Sequence, residues 1–146
     1  MPRIFADSSV LIAGSDSRSG ASRAIIVMAE IGLFQLVISR YVITECERNL
    51  RKKLPAGLPI FAQLLTNINL LIVDDPPPTE VERWFPHIEA KDAPILAAAV
   101  QAKVDRLLTL NSKDFTPQVA MVSGLTIQPP GEFVREIRAI VKLGLL

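Results

Sequence analysis

Short, almost entirely apolar runs alternate with longer helical patterns along this chain, and this alternation constrains its fold more than any other feature. A strand that is apolar on both faces is typical of a parallel sheet covered by helices. The pattern therefore predicts a three-layer α/β/α sandwich with a central, mostly parallel sheet of about five strands. No repeat or low-complexity linker divides the sequence, so we expect one domain over residues 1–146. The predicted strands are 3–6, 34–39, 68–73, 106–110 and 125–128, and the predicted helices are 20–31, 41–54, 58–67, 80–85, 92–104 and 129–143.

The composition argues against several classes of protein. A net charge of +1 is not that of a globally basic nucleic-acid binder, and one cysteine excludes an internal disulfide framework. No apolar run reaches the roughly 18 to 20 residues that a membrane span needs. The first residues lack the apolar core of a signal peptide, so we expect a cytoplasmic protein. The hydrophobic fraction of 49% is high for a small protein and favours an apolar interface with a partner.

Polar side chains follow two of the predicted strands. An Asp-Ser-Ser segment at 7–9 comes directly after the first strand, and the fourth strand runs into Thr109–Phe115. Asp92 stands at the start of the apolar helix that leads into the fourth strand, and Glu45 lies in the helix after the second. Ligands of open α/β sheets bind beyond the carboxyl ends of the strands. We therefore expect these four segments to meet at one edge of the sheet.

Carboxylates that converge without basic partners repel one another. A hard divalent cation relieves this repulsion, and Mg²⁺ and Mn²⁺ prefer carboxylate and water oxygens. Such a cation also assists the hydrolysis of phosphodiesters, because it activates water and offsets charge on the phosphate.

Each of these residues also has an ordinary structural explanation. Asp7 after a strand is a turn or helix-capping residue, and Asp92 before an apolar helix is a natural N-cap. Glu45 alone is a solvated helix residue, and Asn111 and Asp114 are common loop residues. Their joint occurrence at one predicted edge favours a site.

Three segments resemble the PIN domain family, namely "IFADSSVLI", "SRYVITECERNL" and "KDAPILAAAVQAKVDRLLTLNSKDF". The resemblance spans nearly the whole chain and is strongest over 3–12 and 91–115. It implies an α/β/α nuclease in which four acidic positions hold Mg²⁺ or Mn²⁺ and cut single-stranded RNA. By position, Asp7, Glu45 and Asp92 match the first three acids.

The fourth acidic position departs from the family pattern. The chain has Asn111 and Asp114 there. If Asn111 is the ligand, the site carries one charge fewer, and Asp114 could supply it. Ser8 and Ser9 replace the family's frequent Thr-Asn or Thr-Ser but keep a hydroxyl, and Thr109 matches a position expected to orient the central acid.

The resemblance implies a Mg²⁺- or Mn²⁺-dependent endoribonuclease that leaves a 5′-phosphate and a 3′-hydroxyl. A stand-alone domain of this kind resembles the toxin of a toxin–antitoxin pair, which would use its apolar surface to form a homodimer and to bind a small antitoxin protein. The alternative, suggested by Asn111, is a PIN-like fold with a weakened metal site that binds RNA or protein. A small-molecule-binding domain is disfavoured, because the chain has no G-x-G-x-x-G phosphate loop.

Other residues receive separate interpretations. Arg48 and Lys52 share a helix face with Glu45 and either contact an RNA backbone or form a solvated face. Trp84–Phe85 is interpreted as a core or interface anchor in preference to a base-stacking platform. Asp74–Asp75 resembles the acidic pair of a receiver domain, but too little chain follows, so the pair is assigned to a loop.

Overall fold

A computed structural model describes residues 1–144 and shows a five-stranded parallel sheet with helices on both sides, which confirms the predicted fold class. The strands are β1 (Arg3–Ala6), β2 (Gln35–Ser39), β3 (Leu70–Val73), β4 (Arg106–Leu108) and β5 (Ile127–Gln128). The helices are α1 (Ser8–Asp16), α2 (Ala21–Glu30), α3 (Arg40–Lys53), α4 (Leu58–Asn67), α5 (Pro78–Glu82), α6 (Ala93–Gln101), α7 (Pro117–Ser123) and α8 (Pro130–Lys142), with a 3-10 turn over Pro55–Gly57.

The order of the strands creates a crevice beside the central strand. The sheet has the order β3-β2-β1-β4-β5, and every neighbouring pair is parallel. The chain first builds outward from β1 to β3 and then returns to place β4 on the other side of β1. Open α/β sheets bind ligands at such a reversal, beyond the carboxyl ends of the strands. Ala6 pairs with Leu108, so the next residues, Asp7 and Thr109, leave the sheet side by side.

The apolar strands are buried as their sequences require. Phe5, Leu36 and Leu107 at the centre of the sheet are fully buried. Helix α6 is almost entirely apolar but only nine residues long, and most of its residues are buried. Within residues 1–144, no helix has both the length and the apolar character needed to cross a membrane.

Several element boundaries differ from the prediction. Strands β3, β4 and β5 are shorter than predicted, and β4 ends at Leu108, one residue before Thr109, whose hydroxyl donates to the carboxylate that follows β1. Helix α5 was predicted over 80–85, but it begins at Pro78. Proline is tolerated in the first helical turn, so the predicted loop at 74–78 is one residue too long.

Two helices were absent from the prediction. The segment 8–16 forms α1, although its serines and glycine are poor helix formers. Gly14 allows α1 to pack closely on α2, since a Cβ there would overlap the Ile26 side chain. Helix α7 begins after Thr116, whose hydroxyl accepts from the Val119 N–H, and ends at Gly124 with a φ of 75°. Both of these boundary signals were present in the sequence.

Candidate functional site

Asp7 is a buried carboxylate at the carboxyl end of the central strand. It is the N-cap of α1, where its Oδ1 accepts from the Val10 N–H at 3.3 Å. Its Oδ1 also accepts from the Ser9 hydroxyl, and its Oδ2 accepts from the Thr109 hydroxyl at 2.5 Å. Burial raises the pKa of Asp7, while the hydrogen bonds from Ser9 and Thr109 lower it in part. The capping explanation is therefore correct, and it coexists with a carboxylate held at the crevice.

The ends of β1 and β4 are tied together by side-chain hydroxyls. The Ser9 hydroxyl accepts from the Leu110 N–H at 3.0 Å, and the Thr109 hydroxyl accepts from the Asn111 N–H at 2.9 Å. Each hydroxyl thus bonds both to Asp7 and to the segment that follows β4. These contacts fix the orientation of the Asp7 carboxylate relative to that segment.

Asp92 occupies the N-cap position of α6 but does not cap the helix with its side chain. The residue is 8% exposed, and its Oδ2 has no hydrogen-bond partner within residues 1–144. Burial raises the pKa of Asp92 to about 7, and the neighbouring Asp114 carboxylate adds to the rise. The expected capping role of Asp92 is therefore not borne out by its side chain, which is left with a buried, unpartnered oxygen.

Glu89, Asp92 and Asp114 form a compact carboxylate cluster. One oxygen from each of the three lies within 4.8 Å of the others. Glu89 was missed in the sequence, because the turn before α6 brings it beside Asp92 by local backbone bonds: the Asp92 N–H donates to the Glu89 carbonyl at 3.0 Å. The Lys91 ammonium lies 3.7 Å from Asp114 and 3.9 Å from Glu89. Its positive charge therefore offsets part of the negative charge of the cluster.

Asn111 and Asp114 have different positions relative to this cluster. The Asn111 side-chain amide donates to Asp114 Oδ2 at 3.0 Å, and its carbonyl accepts from the Asp114 N–H at 3.2 Å. Asn111 therefore uses both ends of its amide to hold Asp114. The hydrogen bond from the Asn111 amide lowers the pKa of Asp114. Hydrogen bonding with the Asp92 carboxyl group lowers this pKa further.

Glu45, on α3, is held by one contact from α1 and by one within its own helix. Its Oε1 accepts from the Ser8 hydroxyl, and its Oε2 lies 4.0 Å from the Arg48 guanidinium. The side chain is 19% exposed, so Glu45 is not a freely solvated helix residue. The charge of Glu45 is also among the causes of the raised pKa of Asp92. Lys52, in contrast, is exposed and forms no ion pair within residues 1–144.

The structure thus brings together some of the predicted residues more closely than others. Asp92 and Asp114 share one cluster, Asp7 is joined to Ser9 and Thr109, and Glu45 is joined to Ser8. Of the remaining interpretations, Trp84 is buried as a core anchor, Phe85 is 47% exposed, and Asp74 and Asp75 lie in a loop.

A sequence profile of the PIN domain matches residues 3–113 of this chain. The chain belongs to the PIN domain family. The match includes the first three predicted acids and Asn111, and it ends one residue before Asp114. The family match therefore gives no information on Asp114, and the geometry alone bears on its role in this PIN domain.

Solved structures share the fold of this PIN domain. The crystal structure of PAE2754 from Pyrobaculum aerophilum is 19% identical with a TM-score of 0.63, and the alignment covers 92% of this chain and 88% of that one. VapBC2 from Rickettsia felis, bound to a DNA fragment from its promoter, is 14% identical with a TM-score of 0.61, and the alignment covers 87% of this chain and 98% of that one. VapC20 of Mycobacterium tuberculosis, described as a sarcin-ricin loop cleaving toxin, is 15% identical with a TM-score of 0.55. Its alignment covers 71% of this chain and 86% of that one. No curated protein sequence matches this chain.

The residues of this PIN domain fit a divalent cation. Three carboxylates within reach of one another offer the oxygen ligands that Mg²⁺ and Mn²⁺ prefer. The buried Asp92 Oδ2 lacks a partner within the described chain, and an orphaned acceptor of this kind is costly unless a ligand satisfies it. Burial and the neighbouring carboxylates also raise the pKa of Asp92, because both disfavour its ionised form. A bound cation would favour that form.

Proposed function

We propose that this PIN domain is a Mg²⁺- or Mn²⁺-dependent endoribonuclease that hydrolyses phosphodiester bonds of single-stranded RNA. The observation that carries the proposal is the carboxylate cluster of Glu89, Asp92 and Asp114 with its unpartnered Asp92 oxygen, at the sheet edge where α/β proteins bind ligands. Family membership supports the nuclease class, and the description of VapC20 as a sarcin-ricin loop cleaving toxin supports RNA as the substrate.

The proposed ligands of the cation are four carboxylates, those of Asp7, Glu45, Asp92 and Asp114. Glu89 is an additional acid at the exposed side of the cluster. When bound, the cation lowers the pKa of a water molecule and offsets the negative charge that develops on the phosphate. Both contributions act on the bond to be hydrolysed only if the carboxylates keep a fixed arrangement.

The neighbouring polar residues supply that fixed arrangement. Ser9 and Thr109 bind separate oxygens of Asp7, and Ser8 binds Glu45. Asn111 holds Asp114 by two hydrogen bonds. Outer groups that orient metal-ligating carboxylates typically change metal affinity or activity by about 10- to 100-fold when they are removed.

Basic residues on α3 are proposed to contact the RNA backbone. Arg48 lies one turn from Glu45 and is 65% exposed, and the last turn of the helix carries Arg51, Lys52 and Lys53. Because the net charge of the whole chain is close to zero, this local group would carry much of the attraction for phosphate. We expect RNA binding to weaken with rising salt and with the loss of Arg48 or Lys52.

The toxin role rests on the likeness to VapBC2 and VapC20 and on exposed apolar residues. Helices α2 and α8 contact each other. Apolar side chains are exposed on these two helices and at their C-caps, namely Val27, Ile31, Ile140, Val141 and Leu143. Exposed apolar surface commonly marks a protein interface. We propose that it serves homodimer formation and the binding of a small antitoxin protein.

RNA cleavage with charge-neutralising variants tests the proposed activity. Purified wild-type protein, Asp7→Asn, Asp92→Asn and Asp74→Asn are incubated with a fluorescent single-stranded RNA and either Mn²⁺ or EDTA. Asp74 pairs with Arg40 on the exposed surface, so Asp74→Asn is a matched control. We expect the wild type and the control to cleave only with Mn²⁺. The two site variants should lose about 100-fold or more in rate, because each loses a proposed ligand charge, whereas loss of an outer orienting group costs about 10- to 100-fold. Equal cleavage by all four proteins would assign the activity to a contaminant.

Calorimetric titration with Mn²⁺ separates the enzyme from the alternative, a PIN-like binding module with a weakened metal site. Millimolar or tighter binding that is lost in Asp7→Asn supports the enzyme. RNA binding by a protein that takes up no Mn²⁺ would favour the module. The position of Asp114 beside Asp92 supports the enzyme, because it offers the negative charge that Asn111 lacks.

A further inference from the structure

Phe85 is an exposed aromatic ring on a fixed stretch of backbone. Its neighbours Trp84 and Ile88 are buried in the core, whereas Phe85 is 47% exposed. The Phe85 N–H donates to the Glu82 carbonyl at 3.1 Å, and the Ile88 N–H donates to the Trp84 carbonyl at 3.1 Å. The exposure of the ring is thus set by the turn that follows α5.

Two grooves share Phe85 as a lining residue. One groove of about 320 Å³ has mainly apolar walls, including Tyr41, Pro76, Val81 and Pro94. Its wall at Tyr41 is held by a hydrogen bond of 3.0 Å from the tyrosine hydroxyl to the carbonyl of the residue before Asp92. Flat apolar rings that line a small groove form the kind of surface on which a nucleobase stacks.

The second groove, of about 500 Å³, contains part of the carboxylate cluster. Phe85 lines it together with Glu89 and Asp114, and with the basic side chains of His87 and Lys113. Lys113 is exposed and forms no ion pair within residues 1–144. A phosphate group would be repelled by the carboxylates alone, but it is complementary to Lys113 and to a cation held by the cluster.

We propose that Phe85 is the stacking platform for an unpaired base next to the phosphate that is cleaved. The base lies in the groove of Tyr41 and Pro94, and the phosphate lies in the groove of Lys113 and Asp114. This inference rests on the proposed nuclease function and adds its substrate determinant. A base that stacks on Phe85 has left the stack of its own strand, so the platform favours single-stranded over duplex RNA. Stacking tolerates every base, so we expect weak sequence preference at this position.

Substitutions that separate the aromatic ring from its volume test the proposal. Phe85→Leu keeps an apolar side chain but removes the flat face, Phe85→Tyr keeps the face, and Met121→Ala changes an exposed apolar residue on α7 as a control. We expect Phe85→Leu to lower kcat/KM for single-stranded RNA about 10-fold, mainly through KM, since a base–aromatic stack contributes about that factor. We expect Phe85→Tyr and Met121→Ala to stay near the wild type.

A binding measurement distinguishes this inference from the proposed activity. In an Asp92→Asn background, an RNA oligonucleotide that contains 2-aminopurine reports stacking by quenching of its fluorescence. Loss of quenching in Phe85→Leu, with retention of quenching in Phe85→Tyr, supports the platform. Failure of the wild type to cleave RNA would overturn the nuclease proposal but not this stacking result. Unchanged KM and unchanged quenching in a folded Phe85→Leu protein would overturn the platform and favour a protein contact at this ring.

Discussion

The side-chain amide of Asn111 donates to Asp114 Oδ2 at 3.0 Å, and the Asp114 N–H donates back to Asn111 Oδ1 at 3.2 Å. This reciprocal pair bears on the one acidic position that the sequence left open. Asn111 supports Asp114, and Asp114 reaches the cluster with Glu89 and Asp92. We therefore assign the fourth acidic role to Asp114 as a proposal, with Asn111 as the residue that orients it.

The two residues should differ in their effect on metal binding. We expect Asp114→Asn to weaken Mn²⁺ binding by about 100-fold or more, because it removes a charged ligand, and Asn111→Ala to weaken it by about 10-fold, because it removes only an orienting contact. Isothermal titration with Mn²⁺ measures both, and Ser112→Ala on the exposed part of the same loop is the control. A larger loss in Asn111→Ala than in Asp114→Asn would make Asn111 the ligand.

Thr109→Val should destabilise the fold while it preserves side-chain shape. The Thr109 hydroxyl donates to Asp7 and accepts from the Asn111 N–H, so valine leaves a buried carboxylate oxygen and a backbone donor with one partner fewer each. We expect a loss of about 1–3 kcal/mol in the free energy of unfolding, measured with urea. Thr109→Ser keeps the hydroxyl and should lose less. Equal stability of the valine and serine variants would show that the hydroxyl contributes little.

The metal-free protein should lose stability as pH rises, because of Asp92. The pKa of Asp92 is raised from 3.8 to about 7 in the folded state, so the folded protein holds this proton more tightly than the unfolded chain does. The resulting stabilisation is fully present below about pH 4 and is lost as pH rises to about 7. Asp92→Asn removes this titration.

Urea unfolding of both proteins in EDTA between pH 4 and pH 8 measures the effect. We expect the stability of the wild type, relative to Asp92→Asn, to fall over this range and then to level off. Addition of Mn²⁺ should reverse the fall, because a bound cation favours the ionised carboxylate. Parallel curves for the two proteins in EDTA would contradict the raised pKa.

The sequence predicted the parts of the fold that depend on burial. Strands such as β1 and β4 are apolar at nearly every position because both faces are covered, and this signal needs no tertiary information. Helix α1 was missed because its stability comes from packing: Gly14 and its serines disfavour a helix locally, and Gly14 is needed where α2 approaches.

The candidate site was predicted from residues that follow strands, and its omissions have a local cause. Asp7 and Thr109 could be paired because parallel strands end at the same edge of the sheet. Glu89 could not be predicted as part of the site, because its place beside Asp92 depends on a turn whose backbone hydrogen bonds are not apparent from residue types. The choice between Asn111 and Asp114 likewise depends on the direction of a side-chain amide.

Asp75 should contribute more to stability than its neighbour Asp74. Its carboxylate accepts from the Tyr41 N–H at 2.9 Å, in the first turn of the helix that carries Glu45. Ser39 satisfies a second N–H of this turn, that of Val42, at 3.3 Å. A helix N-terminus has N–H groups without intrahelical partners, and a carboxylate there also favours the helix dipole.

Alanine substitutions at the two positions form a matched pair. We expect Asp75→Ala to lower the free energy of unfolding by about 1 kcal/mol, the usual effect of losing a helix-capping side chain. Asp74→Ala removes only an exposed ion pair with Arg40, 2.9 Å long, and should cost less than about 0.5 kcal/mol. Urea unfolding at low and high salt measures both, since the ion pair should weaken with salt more than the cap does. Equal losses at the two positions would mean that Asp75 acts as a surface charge and that Ser39 alone caps the helix.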